Sequence, residues 1–502
     1  MGSTTSVLER VGIALATMGP GAVLLNAALR GFRVAAPAAL LTAAALGVAG
    51  TAWLARRLRA SLAEVPARRA LVAAWCLLAA VVSIGVTARL SLFMVDSARV
   101  EDSIYPHDLF FVQHSCLSAY FQAGRLQRAG VPNLYEHTHY EGPRGEPKFI
   151  DGFVMDAFLY PPPFLLLSRL GLAVSDDFEA WRAVWFGIEG ALVASTLLAV
   201  GLWIGGRPGR RVLWLTPLVW LSMPTLVTLQ FGNFQLVGIA GAMLAMIAFE
   251  SDRNVLGGAL LAPLALSKVF PGILVLLLLW QRRWRAAAWT VGFTIVVLVG
   301  SVLVLGETPF RALLSYHLPR LSSGAAVETI LARPDAMATN HSVQGFVEKL
   351  GLLHVPGMSQ RVAVAVSWAY TLVLLGATAV AAKGSPERLP RALAWLALLQ
   401  LTALRSPFVP DAYAQFPLVW IVVLLLAADA GQGWRRTGYA VLLVLAAIVT
   451  PSVHYVSRPY VAFFLVHQAV FFGLCLWVIW SRRDVRSGTA ISRDPYPRLA
   501  AG

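Results

Sequence analysis

Apolar residues recur along this chain in long unbroken blocks rather than in stripes. About fourteen blocks stand out. They lie near 11–29, 34–55, 70–95, 183–205, 212–230, 234–250, 254–267, 269–281, 286–305, 361–382, 391–404, 414–430, 437–451 and 459–480. Many approach the ~20 residues that a helix needs to cross a bilayer. The shorter ones predict tilted, broken or re-entrant helices. The pair 254–267 and 269–281 reads as a hairpin that only partly crosses. The expected fold class is all-α, a polytopic transmembrane bundle of about 12–14 spans. The pattern divides the chain into N-terminal membrane helices (1–95), a first long segment (96–182) and a central membrane group (183–305). A second long segment (306–360), a C-terminal membrane group (361–480) and a polar tail (481–502) follow.

Composition agrees. The 502 residues are 58% hydrophobic and 13% charged, against about 25% charged in soluble domains. Three cysteines cannot build a disulfide framework. Cys76 and Cys475 lie in spans, and Cys116 stands in the first long segment without a partner cysteine on its side. The first 30 residues read as a retained span, because Pro20 and Asn26 interrupt the apolar run and Arg10 is offset by Glu9.

The net charge of +15 changes the picture once it is mapped. Basic residues gather in alternate short loops: Arg56, Arg57, Arg59, Arg68 and Arg69, then Arg207, Arg210, Arg211, Arg282, Arg283 and Arg285. Lys383, Arg388, Arg391, Arg435, Arg436, Arg482 and Arg483 continue the set. The excess falls on one face, which by the positive-inside rule is cytoplasmic and holds both termini. The basicity is a topology signal, not a nucleic-acid footprint. The long segments 96–182 and 306–360 then lie outside, in the periplasm of a cell with an inner membrane. Long connections of this kind are usually functional.

Candidate chemistry concentrates there. After Asp108, apolar residues recur at helical spacing through 126, which predicts an interfacial amphipathic helix over 108–129. Asp108 opens it, either as a helix cap or as a working carboxylate. Tyr160-Pro161-Pro162-Pro163 holds an extended turn before a short apolar helix at 164–173. Glu136, His137, His139 and Glu141 have metal-ligand residue types, but no second ligand cluster accompanies them, and the turn reads as solvated. Gln230, Asn233 and Gln235 form an amide-rich turn between two spans, able to bind sugar hydroxyls or to satisfy its own backbone. Lys268 lies between apolar runs. At membrane depth it is either a phosphate-binding cation or a snorkelling side chain. His317, Arg320, Asn340, His341 and Ser342 mark the second segment, and Arg405, Asp411 and Tyr413 a late outer turn.

Taken in order, several of these pieces resemble one family. They are Asp108-Leu109, Gly130, Asn133-Leu134-Tyr135, Tyr160-Pro161-Pro162, the turn at Asn233, Lys268 and Gln281-Arg282-Arg283-Trp284-Arg285. Asn340-His341-Ser342 with Gly345, then Ser406-Pro407 with Asp411, complete the series. The chain resembles the bacterial polyprenyl-phosphate-mannose-dependent mannosyltransferase-like proteins, glycosyltransferase family 87, with the GT-C fold. His341 stands where the family pattern has glutamine. Ala412-Tyr413 stands where mannosyltransferase-type members carry histidine.

The resemblance implies a membrane enzyme that moves a hexose, read as mannose, from a polyprenyl-phosphate donor to a lipid or glycan hydroxyl at the periplasmic face. It implies Asp108 as the base and Lys268 as the phosphate partner, with Arg405 or Arg320 behind it. Tyr160, Asn233, Gln235, Asn340, His341 and Asp411 would shape the sugar pocket. The expected partners are donor, acceptor and membrane lipids, without nucleic acid, metal or cofactor. The sequence contains no Asp-x-Asp element and no P-loop for a nucleotide sugar. The alternative is a polytopic transporter or lipid flippase, which would also hold a few intramembrane charges. An inactive scaffold for envelope assembly is a third reading.

Overall fold

The computed structural model describes residues 2–58, 69–328, 333–428, 434–451 and 456–481. Arg59, Arg68, Arg482, Arg483 and the expected tail beyond Ser481 lie outside the described residues. Among the described residues the chain is an all-α helical bundle with one two-stranded ladder. Helices α1 (Gly2–Gly31), α2 (Ala36–Arg57) and α3 (Arg69–Val95) come first. The first long segment carries α4 (Leu109–Gln113), α5 (Leu117–Arg128), the antiparallel strands β1 (Phe149–Ile150) and β2 (Phe153–Val154), and α6 (Leu165–Val174). The central group is α7 (Phe178–Ile204), α8 (Gly206–Trp220), α9 (Met223–Phe231), α10 (Gln235–Glu250), α11 (Asn254–Lys268), α12 (Ile273–Trp280) and α13 (Trp284–Leu305).

The second long segment carries α14 (Thr308–Ala312), α15 (Leu318–Ser323), α16 (Pro334–Thr339) and α17 (Val343–Leu352). The closing group is α18 (Gln360–Ala382), α19 (Arg388–Ala403), α20 (Asp411–Ala428), α21 (Trp434–Ala446) and α22 (Arg458–Trp480).

Among the described residues, eight helices are long and apolar enough to cross a membrane, or nine if the bent pair α8–α9 is one span. The remaining apolar blocks form shorter helices, α10, α11 and α12 among them. The 58° bend between α8 and α9 follows from Pro224, which has no N–H to donate back across the break at Ser222. The pair at 254–281 turns back at Lys268: Arg253 and Arg283, at its two flanks, both meet the C-terminal end of α10, whereas Lys268 meets Asn233 before its N-terminus. α11 packs on α10 and α13, whereas α12 packs on α13, α18 and α19.

Burial sorts the helices as their sequences require. α20 is apolar all round, and 89% of its most apolar window is buried, which makes it the central span. α13 leaves Trp289, Ile295, Val296 and Leu303 exposed, the face a lipid-contacting helix presents.

Small residues let α1 and α7 approach closely. A Cβ at Gly187 in α7 would sit 2.7 Å from the Leu24 carbonyl oxygen in α1. Gly187→Val is therefore expected to push α1 and α7 apart and destabilise the protein by roughly 1–3 kcal/mol. Thermal unfolding in detergent reads this, and an unchanged midpoint would show that the contact is not needed.

One expectation needs correction. The helix expected over 108–129 is two helices, broken at His114-Ser115-Cys116. Nor does its second half lie open on a membrane surface. Leu117, Ser118, Ala119, Tyr120, Phe121 and Ala123 are all buried, and α5 packs against α6 and α7. Helical periodicity reports an apolar face. It does not report whether lipid or protein covers that face.

The two ends of α10 differ. Glu250 at its C-terminus holds Arg283 at 2.6 Å and also binds Arg391, joining α10, the turn before α13, and α19. Its N-terminus lies roughly 24 Å away, beneath the first long segment, and there the polar side chains of the bundle converge.

Candidate active site

Four chain breaks build this end. The first is the turn between α9 and α10. Gly232 takes a left-handed conformation, φ +66°, that closes α9, and a Cβ there would lie 2.7 Å from Leu117. The turn aims the Asn233 side chain at two neighbours. Its Oδ1 accepts from Lys268 Nζ at 2.8 Å and from the Gln235 N–H at 2.9 Å. Its Nδ2 donates to Cys116 Sγ at 3.1 Å.

The second break follows α11. Lys268 is its last residue, and Val269 holds φ +44°, a region that a β-branched residue enters only with strain of order 1–3 kcal/mol. The Lys268 ammonium lies 5.7 Å from the Tyr160 ring centroid and 5.9 Å from that of Tyr413. Glu189, fully buried on α7, acts on it electrostatically. Lys268 is thus set among an amide, two phenol rings and a carboxylate, unlike a snorkelling side chain.

The third break separates α4 from α5. The Cys116 N–H donates to the Phe231 carbonyl at 2.9 Å, and His114 bridges to Val154 in strand fashion. Cys116 Sγ lies 3.0 Å from the Tyr413 hydroxyl and 3.6 Å from His114 Nε2. Burial pushes its thiol up to about 12.

The fourth is the stretch from β2 to the prolines. Ser118 Oγ donates to the Val154 carbonyl and accepts from the Asp156 N–H, both at 3.0 Å. This fixes Asp156 with Oδ1 3.5 Å from His114 Nδ1. Burial raises the Asp156 carboxyl above the usual carboxylate range, and His114 and Cys116 pull it partly back. Tyr160 then meets Tyr120, hydroxyl to hydroxyl at 2.8 Å, and stacks on Phe164.

The pocket therefore offers a half-buried cation, phenols and amides for polar recognition, and aromatic walls. Such a set suits a sugar carried on an anionic group. Residues 158–407 match the family model of glycosyltransferase family 87. The chain belongs to this family. No curated protein and no solved structure matches it. Membership makes the protein a membrane glycosyltransferase rather than a carrier. The matched region contains Tyr160, Asn233, Lys268, Asn340 and Arg405, and begins after Asp108, His114, Cys116 and Asp156.

The other expected residues of this family-87 protein fall into separate groups. Asp108 caps α4, its Oδ1 accepting from the Phe110 N–H at 3.0 Å, and stays half-buried. Asp108 and Asp411 both act on the Tyr105 phenol, and Asp411 Oδ2 accepts from the Thr450 N–H at 3.3 Å. Gln230 serves the backbone, accepting from Ile104 N–H at 2.8 Å and donating to the Phe111 carbonyl at 2.7 Å. Gln235 Nε2, by contrast, is buried without a hydrogen-bond partner beside Asn233.

Asn340 ties the second segment to the late turn. Its Oδ1 accepts from Ser342 and Val409 N–H, both at 3.0 Å, and Nδ2 reaches the Pro407 carbonyl at 3.1 Å. His341 is buried, with Nε2 3.3 Å from His467 Nδ1. Arg405 donates to Ser367 at 3.0 Å and lies over Trp368. Arg320 lies over Tyr316 and donates to the Ala325 carbonyl at 3.2 Å. None of these contacts joins the Lys268 group. In the 136–141 turn, His139 Nε2 pairs with the Asn133 carbonyl at 3.0 Å.

Sequence reasoning picked out Lys268, Asn233 and Tyr160 and missed His114, Cys116, Asp156 and Glu189 as their companions. A glutamate inside the apolar block 183–205 was the one available signal.

Proposed function

We propose that this protein transfers a hexose, mannose in the first instance, from a polyprenyl-phosphate donor to a lipid or glycan hydroxyl at the periplasmic face of the inner membrane, on a GT-C scaffold. The observation that carries the reading is the half-buried Lys268, hydrogen-bonded to Asn233 and flanked by the rings of Tyr160 and Tyr413. A donor whose tail lies in lipid presents its phosphate at such a depth. Both termini and the Glu250–Arg283–Arg391 end then face the cytoplasm, in keeping with the arginine-rich loops.

In this reading Lys268 binds the phosphate and stabilises it as it leaves. Tyr160, Asn233 and Gln235 contact the sugar, and the unpartnered Gln235 Nε2 supplies a free donor. Asp108 is the general base. The Phe110 N–H holds its carboxylate in place. The acceptor hydroxyl loses its proton to Asp108 as it bonds to the sugar, and the carbon–oxygen bond to phosphate breaks.

The test is an assay of purified protein in lipid with labelled polyprenyl-phosphate mannose and a panel of membrane glycolipids. Label should move to a glycolipid. Use of a nucleotide sugar in its place would overturn the donor assignment.

A further inference from the structure

We propose that His114, Cys116 and Asp156 form a site for one thiophilic divalent cation of the zinc class, beside the Lys268 pocket. The proposal goes beyond glycosyl transfer and does not depend on which donor is used.

Among the described residues these three form a group of metal-ligand side chains, with one ligand atom from each within 4.8 Å of the others. The imidazole stands between the other two, 3.5 Å from Asp156 Oδ1 and 3.6 Å from Cys116 Sγ through its two nitrogens. Ligand–ligand edges around tetrahedral zinc with sulfur, nitrogen and oxygen donors run to about 3.3–3.6 Å. Closing the group around a cation needs contraction of up to about 1.2–1.5 Å, with one ring nitrogen as the ligand.

The helix break is the strongest indication. Residues i and i+2 lie on different sides of a helix but on the same side of an extended segment. The chain leaves helical geometry at His114, φ −91° and ψ 132°, and re-enters it at Cys116, and this break brings His114 and Cys116 together. The β2-to-Tyr160 stretch then delivers Asp156 from 40 residues further along the chain.

Each ligand is also held from behind. Asn233 and Tyr413 reach the sulfur, Ser118 fixes the Asp156 backbone, and Phe110 and Phe231 flank the imidazole. Supporting contacts of this kind orient ligands in metal sites. A thiolate, an imidazole and a carboxylate favour zinc-class ions over magnesium or calcium. Three protein ligands leave the fourth position open, which is the pattern of catalytic rather than structural zinc. Lys268 is a repulsive neighbour, and Glu189 with the two anionic ligands offsets it.

The test uses the full-length protein in detergent, stripped with chelator and titrated with cobalt(II). Cobalt should bind one per chain, with tetrahedral d–d absorption and a thiolate-to-cobalt charge-transfer band. Cys116→Ala should abolish that band. His114→Ala and Asp156→Asn should weaken binding about tenfold or more. His137→Ala and His139→Ala, in the other histidine-bearing turn, should leave the spectrum unchanged. A wild-type protein that gives no thiolate-to-cobalt band overturns the proposal and leaves a hydrogen-bonded triad only. So does a band that survives Cys116→Ala. Cys116→Ser, which keeps the size of the side chain, stands in should the alanine variant fail to fold.

Discussion

Asp108→Asn is expected to lower turnover by ~10²–10⁴-fold, the usual range for losing a general base, with expression and donor binding nearly unchanged. A carboxylate within hydrogen-bond reach can take the acceptor proton, and an amide of the same shape cannot. The structure makes this substitution informative because Asp108 also caps α4 through the Phe110 N–H. Asn caps a helix about as well as Asp. The purely architectural role therefore predicts near-wild-type activity and stability, and only the chemical role predicts loss. Initial rates with saturating donor separate the two. A variant that keeps more than about a tenth of wild-type turnover, above the stated range, removes Asp108 as base. Asp411, which shares the Tyr105 neighbourhood with it, and Asp102 in the same segment are then the carboxylates to test.

Lys268→Met should reduce use of the lipid-phosphate donor about ten- to a hundredfold, the equivalent of roughly 1.5–3 kcal/mol for one charge-assisted contact. Met keeps the apolar stem of lysine, and Asn233 Oδ1 retains its bond from the Gln235 N–H, so the turn between α9 and α10 should survive. The loss belongs to phosphate recognition, and thermal unfolding should change little. If donor kinetics stay at the wild-type level, Lys268 only satisfies Asn233 and the donor phosphate binds elsewhere.

Several outcomes turn on how far a local pattern reaches. Lys268 stood out because a cation between apolar runs has few inexpensive explanations, and the structure sets it against Asn233 and the rings of Tyr160 and Tyr413. Tyr160 was marked by its prolines, which hold it extended, and Asn233 by the glycine before it. Cys116 was legible only as a cysteine without a disulfide partner. Its actual neighbours, Asn233 and Tyr413, lie 117 and 297 residues away along the chain. Asn340 was grouped with the sugar-binding residues because an exposed amide and a backbone-tying amide have the same sequence. The structure uses both ends of its side chain on the backbone of the late turn.

By itself the sequence determined that this is a multi-pass helical membrane protein, and roughly where its helices begin and end. Those properties follow from the burial of apolar blocks and from proline and glycine at the breaks, which act over a few residues. Tertiary structure alone decided which polar residues meet. At 114–116 the local pattern favours a continuous helix. The Cys116 N–H bond to Phe231, the bridge from His114 to Val154 and the contacts of Cys116 with Asn233 and Tyr413 hold the extended form instead. The partners in those interactions come from other helices, so periodicity along one helix could not report them.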